Sequence, residues 1–411
     1  MKQKTLSKII KDHSLVIRIL RKITSTTNIA LIFLFRIFPI DPKLIVLESE
    51  GDLSDNAFAL YEYMKTNGYL NKYRVVWLVE DVKATNELKY ENTAFVEKLP
   101  QKITVKRSKY LATCKYYIYD HCNLLPYKRH QGQKVIFLSH GCTFKGRKGA
   151  NGEEKINVDE MYVTGKLFFK SMAEWANCDI SRIVDIGYPR LDYLFMDCNK
   201  EQRLFKEKYN INNYSSVFIW LPTFRKSVNA NLSEDYFVSE TGLPIVYKRT
   251  QLKELNDFLN HNNSLCVLKL HHLQSDYDCF SEKFSNIIII KDSDLKECGV
   301  QLYQLLSMFD SMITDYSSIG YEFLLLNRPL IYTLDDLEQY KQSRGLSNDN
   351  ILFTMAGSQC YTLTDLESAM MDVITKNDLY SNMRIDMLGK CHTHTDGHAS
   401  ARILDHLRII K

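Results

Sequence analysis

The segment SMITDYSSIGYEF, residues 311–323, contains residue types that could bind a charged substrate. Its pattern is that of a buried strand that ends at Asp315, turns through Tyr316, Ser317 and Ser318, and continues as a helix. At the carboxyl end of a strand in an open α/β sheet, exposed backbone N–H groups favour an anion. The turn therefore predicts a phosphate-binding position. Simple capping of the helix by the serines is the alternative.

Three other strand ends carry polar side chains suited to phosphate chemistry. VIFLSHG ends a strand with His140 before its glycine, and histidine, the residue type best suited to proton transfer near neutral pH, is a candidate general base there. WLPTFRK ends a strand with a loop that contains Thr223 and Arg225, and VLKLHH ends the next strand with His271 and His272. Arginine offers phosphate a planar fork of donors, while histidine can donate to an oxyanion and then protonate a leaving group. Each alone could be a surface or capping residue, but Arg225, His271 and the Asp315 turn together predict one phosphate site.

Two clusters have the residue types of a metal site without its spacing. KDSDLKE contains Asp292 and Asp294, a DxD pattern, directly after a strand, where a turn is expected. CHTHTDGHAS places Cys391, three histidines and Asp396 close together, but not as a closed four-ligand site. We therefore expect no metal site, with a turn at the first cluster and a helix cap at the second.

Short apolar runs alternate with amphipathic segments through most of the chain, which predicts parallel α/β sheets. Residues 44–200 contain LIVLESE, YRVVWLVED, NTAFVEK, KYYIYDH, KVIFLSHG, EMYVTG and IVDIGYP, and predict one Rossmann-like domain. Residues 210–385 contain SVFIWLPTF, LCVLKLHH, NIIIIKD, DSMITDYS and PLIYTLD, and predict a second. Residues 386–411 predict a helix that packs back on the first domain. The predicted fold class is α/β of the GT-B type, with two Rossmann-like domains facing across a cleft.

Residues 1–43 have a different composition, both apolar and basic. Their longest uninterrupted apolar run, Ile29 to Phe35, is far shorter than the roughly 20 residues that span a bilayer. An apolar and basic helical segment can lie in the headgroup region and be attracted to anionic lipid. We predict peripheral association with a membrane surface, with a helix packed on the domain as the alternative.

The overall composition limits the possible functions. The 411 residues are 45% hydrophobic and 25% charged, which suits a globular chain of about two domains. A net charge of +4 is too small to indicate a nucleic-acid-binding protein. Ten cysteines without a CxxC pair, and no pattern of a secretory signal, favour a cytoplasmic location with reduced thiols.

Seven motifs in order give the chain a resemblance to the CDP-glycerol glycerophosphotransferase family, the teichoic-acid and capsule polyol-phosphate transferases and polymerases. The motifs are GDLSDNAFALYEYM, SHG, GYPRLDYLF, LPTFR, LKLHH, ITDYSSIGYEFLLLNRPLIYTLDDLEQY and DGHASARILDHL. The resemblance covers nearly the whole chain from about residue 45. The sequence departs from the family around SHG, where the usual Trp and Thr-Pro-Leu-Lys are missing, and at His272, which replaces a proline. These departures put the acceptor in question and favour a sugar-containing capsule or a linkage unit over a plain poly(glycerol phosphate).

The resemblance implies that glycerol phosphate, or a related polyol phosphate, passes from CDP-glycerol or CDP-ribitol to an acceptor hydroxyl, with release of CMP and no cofactor or metal. The acceptor would be a lipid-linked or polymeric glycan. The implied catalytic residues are His140, as the base for the acceptor hydroxyl, and His271. The implied donor phosphate-binding residues are Arg225, Thr223, Ser317 and Ser318. The implied polyol- or nucleotide-binding residues are Asp315, Asp336 and Arg328, and the implied acceptor-side residues are Lys145 and Arg147.

The implied location is the cytoplasmic face of the bacterial cell membrane, to which the protein would attach peripherally. The resemblance implies no nucleic-acid partner and leaves an oligomer open.

Two other functions stay open. One is a GT-B nucleotide-sugar glycosyltransferase in surface polysaccharide synthesis, which would turn over a UDP-sugar. The other is a silent scaffold, against which the presence of His140, Arg225, His271 and the two serines argues.

Overall fold

The computed structural model describes residues 21–99, 101–126, 128–144, 156–223, 239–270, 278–343, 345–346 and 351–411. The described chain forms two compact units. The first comprises the described parts of 1–140, 157–162 and 400–411, and the second those of 141–156 and 163–399. The strands form two parallel sheets, which confirms the predicted α/β class with two parallel-sheet domains. The domain boundaries predicted from the sequence stay predictions.

The strands of the first sheet are β1 Asp41–Glu48, β2 Arg74–Val79, β3 Thr93–Glu97, β4 Cys114–Tyr119, β5 Lys134–Phe137, β6 Glu160–Val163 and β7 Ile183–Asp185. Their order is β3-β2-β1-β4-β5-β6-β7. In the middle of the sheet, Val46 of β1 lies between Val76 of β2 and Tyr117 of β4, in parallel register. The strand order reverses between β1 and β4, and such a reversal is where open α/β sheets bind ligands.

The strands of the second sheet are β8 Ser216–Trp220, β9 Ser264–Lys269, β10 Ile287–Ile290, β11 Ser311–Thr314, β12 Leu330–Thr333 and β13 Ser358–Cys360. Their order is β10-β9-β8-β11-β12-β13, again with parallel pairing. Here the order reverses between β8 and β11. Most of these strands are continuous apolar runs, as expected where both faces of a sheet are covered.

The α-helices of the described chain are α1 21–35, α2 Asp55–Thr66, α3 Val82–Asn86, α4 Val105–Thr113, α5 Phe169–Ala176, α6 Asn199–Tyr209, α7 Arg249–His261, α8 Asp292–Cys298, α9 Leu302–Leu305, α10 Ile319–Phe323, α11 Leu337–Ser343, α12 Leu363–Ile374, α13 Ser381–Cys391 and α14 Ala399–His406. Their apolar positions recur at helical spacing. In α7, for example, Leu252, Leu255 and Leu259 are fully buried in one hydrophobic cluster with Phe218 and Trp220.

Two elements differ from the sequence prediction. β13 was not predicted, because Ser358–Cys360 is too short and polar to show a strand pattern; it becomes a strand by pairing with β12. The predicted helix over 386–411 is divided into the end of α13 and α14. Between them Gly397 has a φ of +68°, which a continuous helix cannot contain.

None of the helices in the described part of the chain is both long and apolar enough to cross a bilayer. α1 and the turn after it nevertheless keep large apolar side chains on the surface. Leu34 is 59% exposed and Ile37 is 76% exposed. The first 20 residues of the predicted membrane segment lie outside the described residues, and its association with a membrane stays a prediction.

Candidate functional site

His140 lies on the loop that follows β5 in the first unit. Two hydrogen bonds hold this loop: the Asn56 side-chain amide donates to the Ser139 carbonyl at 2.8 Å, and His140 Nδ1 bonds the Asp120 carbonyl at 2.9 Å. Ser139 has a φ of +62°, a left-handed conformation that is uncommon for a residue with a side chain. The loop thus presents His140 in one defined direction.

The bond to Asp120 determines which nitrogen of His140 carries the proton. A carbonyl oxygen only accepts, so Nδ1 must be the donor and Nε2 keeps its lone pair in the neutral ring. His140 is exposed. The imidazole therefore has the tautomer that a general base acting through Nε2 requires.

Buried ionisable groups surround the ends of β1 and β4, where the strand order of the first sheet reverses. Burial raises the pKa of Asp120 well above its usual range, and the nearby charge of Asp55 adds to this effect. Burial also raises the pKa of Glu48 to about 7, against the attraction of the Lys98 ammonium 3.4 Å away. Carboxyl groups at this edge of the sheet therefore favour the neutral form more than exposed ones do.

In the second unit, the loop after β8 and the turn after β11 are joined by Asp315. Its carboxylate is fully buried and accepts two hydrogen bonds from Thr223, from the backbone N–H at 2.8 Å and from the hydroxyl at 2.5 Å. β8 and β11 are the two strands between which the order of the second sheet reverses. Asp315 and Thr223 thus lie together at the position where this class of sheet binds ligands.

The turn with Ser317 and Ser318 lies against the glycine that follows His140 in the chain. A Cβ on Gly141 would lie 2.0 Å from Ser318 Oγ, and Gly141 has a φ of +136°. Only glycine fits there, which explains the glycine of the SHG motif.

Ser318 is the residue before α10, but its hydroxyl makes no capping bond. The interpretation of Ser318 as a side-chain cap is therefore wrong, and the residue is half-buried against Gly141.

A buried ion pair beneath this turn escaped the sequence prediction. Arg190 donates to Glu322 from Nη2 at 2.6 Å and from Nε at 3.2 Å, and the Tyr303 hydroxyl also donates to Glu322. A Cβ on Gly141 would lie 3.3 Å from Glu322 Oε1, so the pair supports the same loop. Arg190 lies in the motif GYPRLDYLF and Glu322 in SSIGYEF. Their opposite charges were the only sequence feature that could have predicted the pairing.

The other predicted donor residues are placed at two different edges of the second sheet. Asp336 follows β12 at the carboxyl edge, where it accepts a 3.0 Å bond from the Tyr316 hydroxyl, and the Tyr316 ring stacks on Tyr340. Arg328 precedes β12, and its guanidinium donates to the Phe309 carbonyl just before β11. The structure therefore does not bring Arg328 together with the other predicted residues, because it lies at the amino-terminal edge.

Four predicted site residues, Arg225, His271, Lys145 and Arg147, lie outside the described residues. The strands that come before two of these residues are described: β8 precedes Arg225, and β9 precedes His271. Thr223 follows β8, and the Leu270 N–H extends the pairing of β9 by donating to the Ile290 carbonyl at 3.0 Å. β9, β8 and β11 are neighbours, so the chain enters these two segments from adjacent strand ends.

The two clusters with metal-like composition have structural roles. Asp294 accepts from the Lys291 N–H at 2.7 Å, so the DxD pattern begins α8 instead of forming a separate turn. His392 is buried and its Nε2 donates to the Tyr321 carbonyl at 2.9 Å; burial lowers the pKa of His392 to about 4. Within the described ranges, no group of three or more His, Cys, Asp or Glu side chains is arranged to hold a metal ion.

Comparison with known proteins adds evidence independent of this geometry. Residues 30–408 match the protein family described as CDP-glycerol:poly(glycerophosphate) glycerophosphotransferase. The teichoic acid poly(glycerol phosphate) polymerase of Bacillus spizizenii is 26% identical over 348 residues, 76% of this chain and 79% of that protein. The teichoic acid glycerol-phosphate primase of Bacillus subtilis is 29% identical over 228 residues, 55% of this chain and 51% of that protein. The chain thus spans only about half the length of this second relative.

The fold has a counterpart among solved structures. The wall teichoic acid polymerase TagF has a TM-score of 0.74 and 20% identity, over 98% of each chain. At that identity the similarity shows a shared fold of two parallel-sheet domains.

Proposed function

The chain belongs to the CDP-glycerol:poly(glycerophosphate) glycerophosphotransferase family, as its motifs predicted, and from this premise we propose the reaction that it catalyses. It transfers glycerol phosphate, or a related polyol phosphate, from a CDP-linked donor to a hydroxyl of a lipid-linked or polymeric glycan. The acceptor oxygen attacks the phosphorus that carries the polyol, the bond from that phosphorus to the bridging oxygen breaks, and CMP leaves. The acceptor proton passes to a base on the protein.

The observation that carries this proposal is the tautomer of His140. Because Nδ1 donates to the Asp120 carbonyl, the Nε2 lone pair of an exposed imidazole is the acceptor for the proton of an incoming hydroxyl. The carbonyl also holds the ring while it is charged, since Nδ1 remains a donor in both forms. His140 is thus the base in this proposal.

The second unit supplies the groups that meet the negative charge of the donor. The Ser317 and Ser318 hydroxyls lie on a turn that Gly141 and the Asp315–Thr223 contact hold in place. Fixed donors of this kind stabilise charge that develops on phosphate oxygens and on the leaving CMP. The proposed residues outside the described ranges keep their predicted roles: Arg225 and His271 bind or protonate the donor phosphates, and Lys145 and Arg147 contribute to acceptor binding. Asp336 binds the polyol or nucleotide part.

We also propose that no metal or cofactor takes part, and that the chain works at the cytoplasmic face of the cell membrane with peripheral attachment. Support for attachment comes from the exposed apolar residues around α1 and from the cations beside them. The Arg36 guanidinium lies 4.0 Å from the centre of the Phe33 ring, and Lys109 Nζ lies 5.6 Å from that of Phe38. The GT-B arrangement and an oligomeric state remain predictions.

The test is CMP release by the purified protein with CDP-glycerol and CDP-ribitol offered separately, a glycan or membrane-extract acceptor, and EDTA throughout. We expect release from one of the two donors, which also identifies the polyol. His140→Ala should lower kcat by about 10²–10⁴-fold, the range for loss of a general base, with donor affinity retained. S317A/S318A should weaken donor binding instead.

His261→Ala is the matched control, because His261 is an exposed histidine at the last turn of α7 and precedes the amino-terminal edge of the second sheet. Wild-type turnover by His140→Ala would remove this residue from the mechanism. Turnover of a UDP-sugar with silence toward both CDP-polyols would assign the protein to the glycosyltransferase alternative.

A further inference from the structure

We propose that Asn56 is a positioning residue for His140, acting through the backbone of Ser139. The inference rests on the proposed role of His140 as the base. Asn56 touches neither donor nor acceptor in this proposal. Its amide fixes the direction in which the imidazole leaves the backbone.

The contact joins two parts of the chain that are 83 residues apart. Asn56, near the start of α2, is fully buried, and its Nδ2 donates to the Ser139 carbonyl at 2.8 Å. Ser139 has the left-handed φ of +62°, which a residue with a side chain adopts only where its surroundings hold it. The buried amide is one such restraint, immediately before the base.

Asp120 closes this arrangement into a ring of hydrogen bonds. Its side-chain carboxyl oxygen Oδ2 accepts from the Ala57 N–H at 2.9 Å and thereby holds the start of α2, next to Asn56. Its backbone carbonyl accepts from His140 Nδ1 at 2.9 Å. α2 therefore holds the base loop through Asn56 on one side, and Asp120 holds the imidazole on the other. A shift of α2 or of the Ser139 carbonyl would turn the Nε2 lone pair away from its target.

The chemistry requires an amide at this position. The Ser139 carbonyl needs a donor, and a carboxylate of the same shape offers only acceptor oxygens. This gives a role to the motif GDLSDNAFALYEYM, which contains Asn56 and to which the proposed reaction assigns no catalytic residue.

The chain offers a control with the same chemistry elsewhere. Asn286 is also buried, and its Nδ2 donates at 2.8 Å to the carbonyl of Ser264, but at the amino-terminal edge of the second sheet. N56D and N286D therefore remove equivalent bonds from buried serine carbonyls. N56A is made as well, because it removes the donor without burying a carboxylate.

The experiment compares kcat, KM and the donor dissociation constant of N56D, N56A and N286D with wild type, using the CMP-release assay. We expect the Asn56 variants to lower kcat by about 10–100-fold, the cost of a misplaced reacting group, with donor affinity within twofold of wild type. N286D should keep its kcat. ¹⁵N spectra of the His140 ring should show the Nδ1–H tautomer in wild type and its loss in N56A.

Wild-type kcat in both Asn56 variants would overturn the inference. So would an equal fall of kcat in N286D, which would indicate a general effect on the fold. An unchanged His140 tautomer in N56A would also overturn it, because Asn56 would then not hold the imidazole in place. Failure of the proposed function is separate: it would appear as full activity of His140→Ala, whatever the Asn56 variants do.

Discussion

Arg190 and Glu322 form a bidentate ion pair in which the side chains are only 6% and 2% exposed. The Tyr303 hydroxyl donates to the same carboxylate, and the Arg190 guanidinium lies 4.7 Å from the centre of the Tyr303 ring. Charges this deep in a protein are tolerated because each satisfies the other. The pair lies directly beneath Gly141 and the Ser318 turn, so its integrity bears on the proposed donor site.

We predict that Glu322→Gln lowers the free energy of unfolding by about 3–5 kcal/mol, because it leaves the Arg190 charge buried without its counter-charge. Urea denaturation measures the change. Glu338→Gln is the control, since Glu338 pairs with Lys341 at 2.9 Å but is 73% exposed, and such pairs contribute about 0–1 kcal/mol. A cost for Glu322→Gln no larger than that of the control would show that the buried pair does not stabilise the unit.

At the scale of elements, His392 connects the end of α13 to α10. Its Nε2 donates to the Tyr321 carbonyl, and burial lowers the pKa of His392 to about 4 from an ordinary value of 6.5. Between these two values the unfolded chain binds a proton that the folded chain does not. This histidine therefore stabilises the fold fully above pH 6.5, and the contribution is lost as the pH falls through about 4.

We predict that His392→Gln removes this part of the acid sensitivity. A glutamine amide can donate to the Tyr321 carbonyl but does not titrate. The free energy of unfolding of wild type minus that of the variant should fall by about 3 kcal/mol between pH 7 and pH 4, since each pKa unit corresponds to about 1.4 kcal/mol. The raised pKa of Glu48 makes the fold more stable at low pH, which is the opposite effect. Because Glu48 is present in both proteins, its contribution cancels in this difference. A difference that is independent of pH would contradict the prediction.

At the scale of the whole molecule, the surface around α1 is the clearest candidate for contact with a membrane. Leu34, Ile37 and Phe38 are 59%, 76% and 43% exposed. Apolar side chains beside cations suit the boundary between headgroups and acyl chains, where a helix can lie without crossing. Attachment there would keep the enzyme near a lipid-linked acceptor.

We predict that L34S/I37S reduces binding to vesicles containing anionic lipid by roughly tenfold or more per side chain, from the loss of about 1.5–3 kcal/mol of burial for each. Cosedimentation measures the binding. Leu379→Ser, at an equally exposed leucine in the second unit, should leave it unchanged. CMP release with a non-membrane acceptor should be unaffected in all variants. Unchanged vesicle binding by L34S/I37S would place the membrane contact elsewhere or exclude it.

Much of the fold could be predicted from the sequence, and less of the site. The apolar runs predicted β1 to β12 because a strand buried on both faces has a local signature, whereas β13 has none and depends on the edge of β12. His140, Asp315 and the two serines could be found because they directly follow such runs. Arg328 was assigned to the donor by its place in a motif, but it precedes its strand and so lies at the opposite edge.

The sequence by itself determined the class of fold, the family and the residues at the strand ends, because periodicity, turn residues and motifs are properties of short segments. Only the tertiary structure decided which distant residues support them. Asn56 meets Ser139 across 83 residues, Arg190 meets Glu322 across 132, and Gly141 meets Ser318. These contacts arise from strand order and loop packing, which depend on the whole chain. The spacing of residues within a short segment therefore does not predict them.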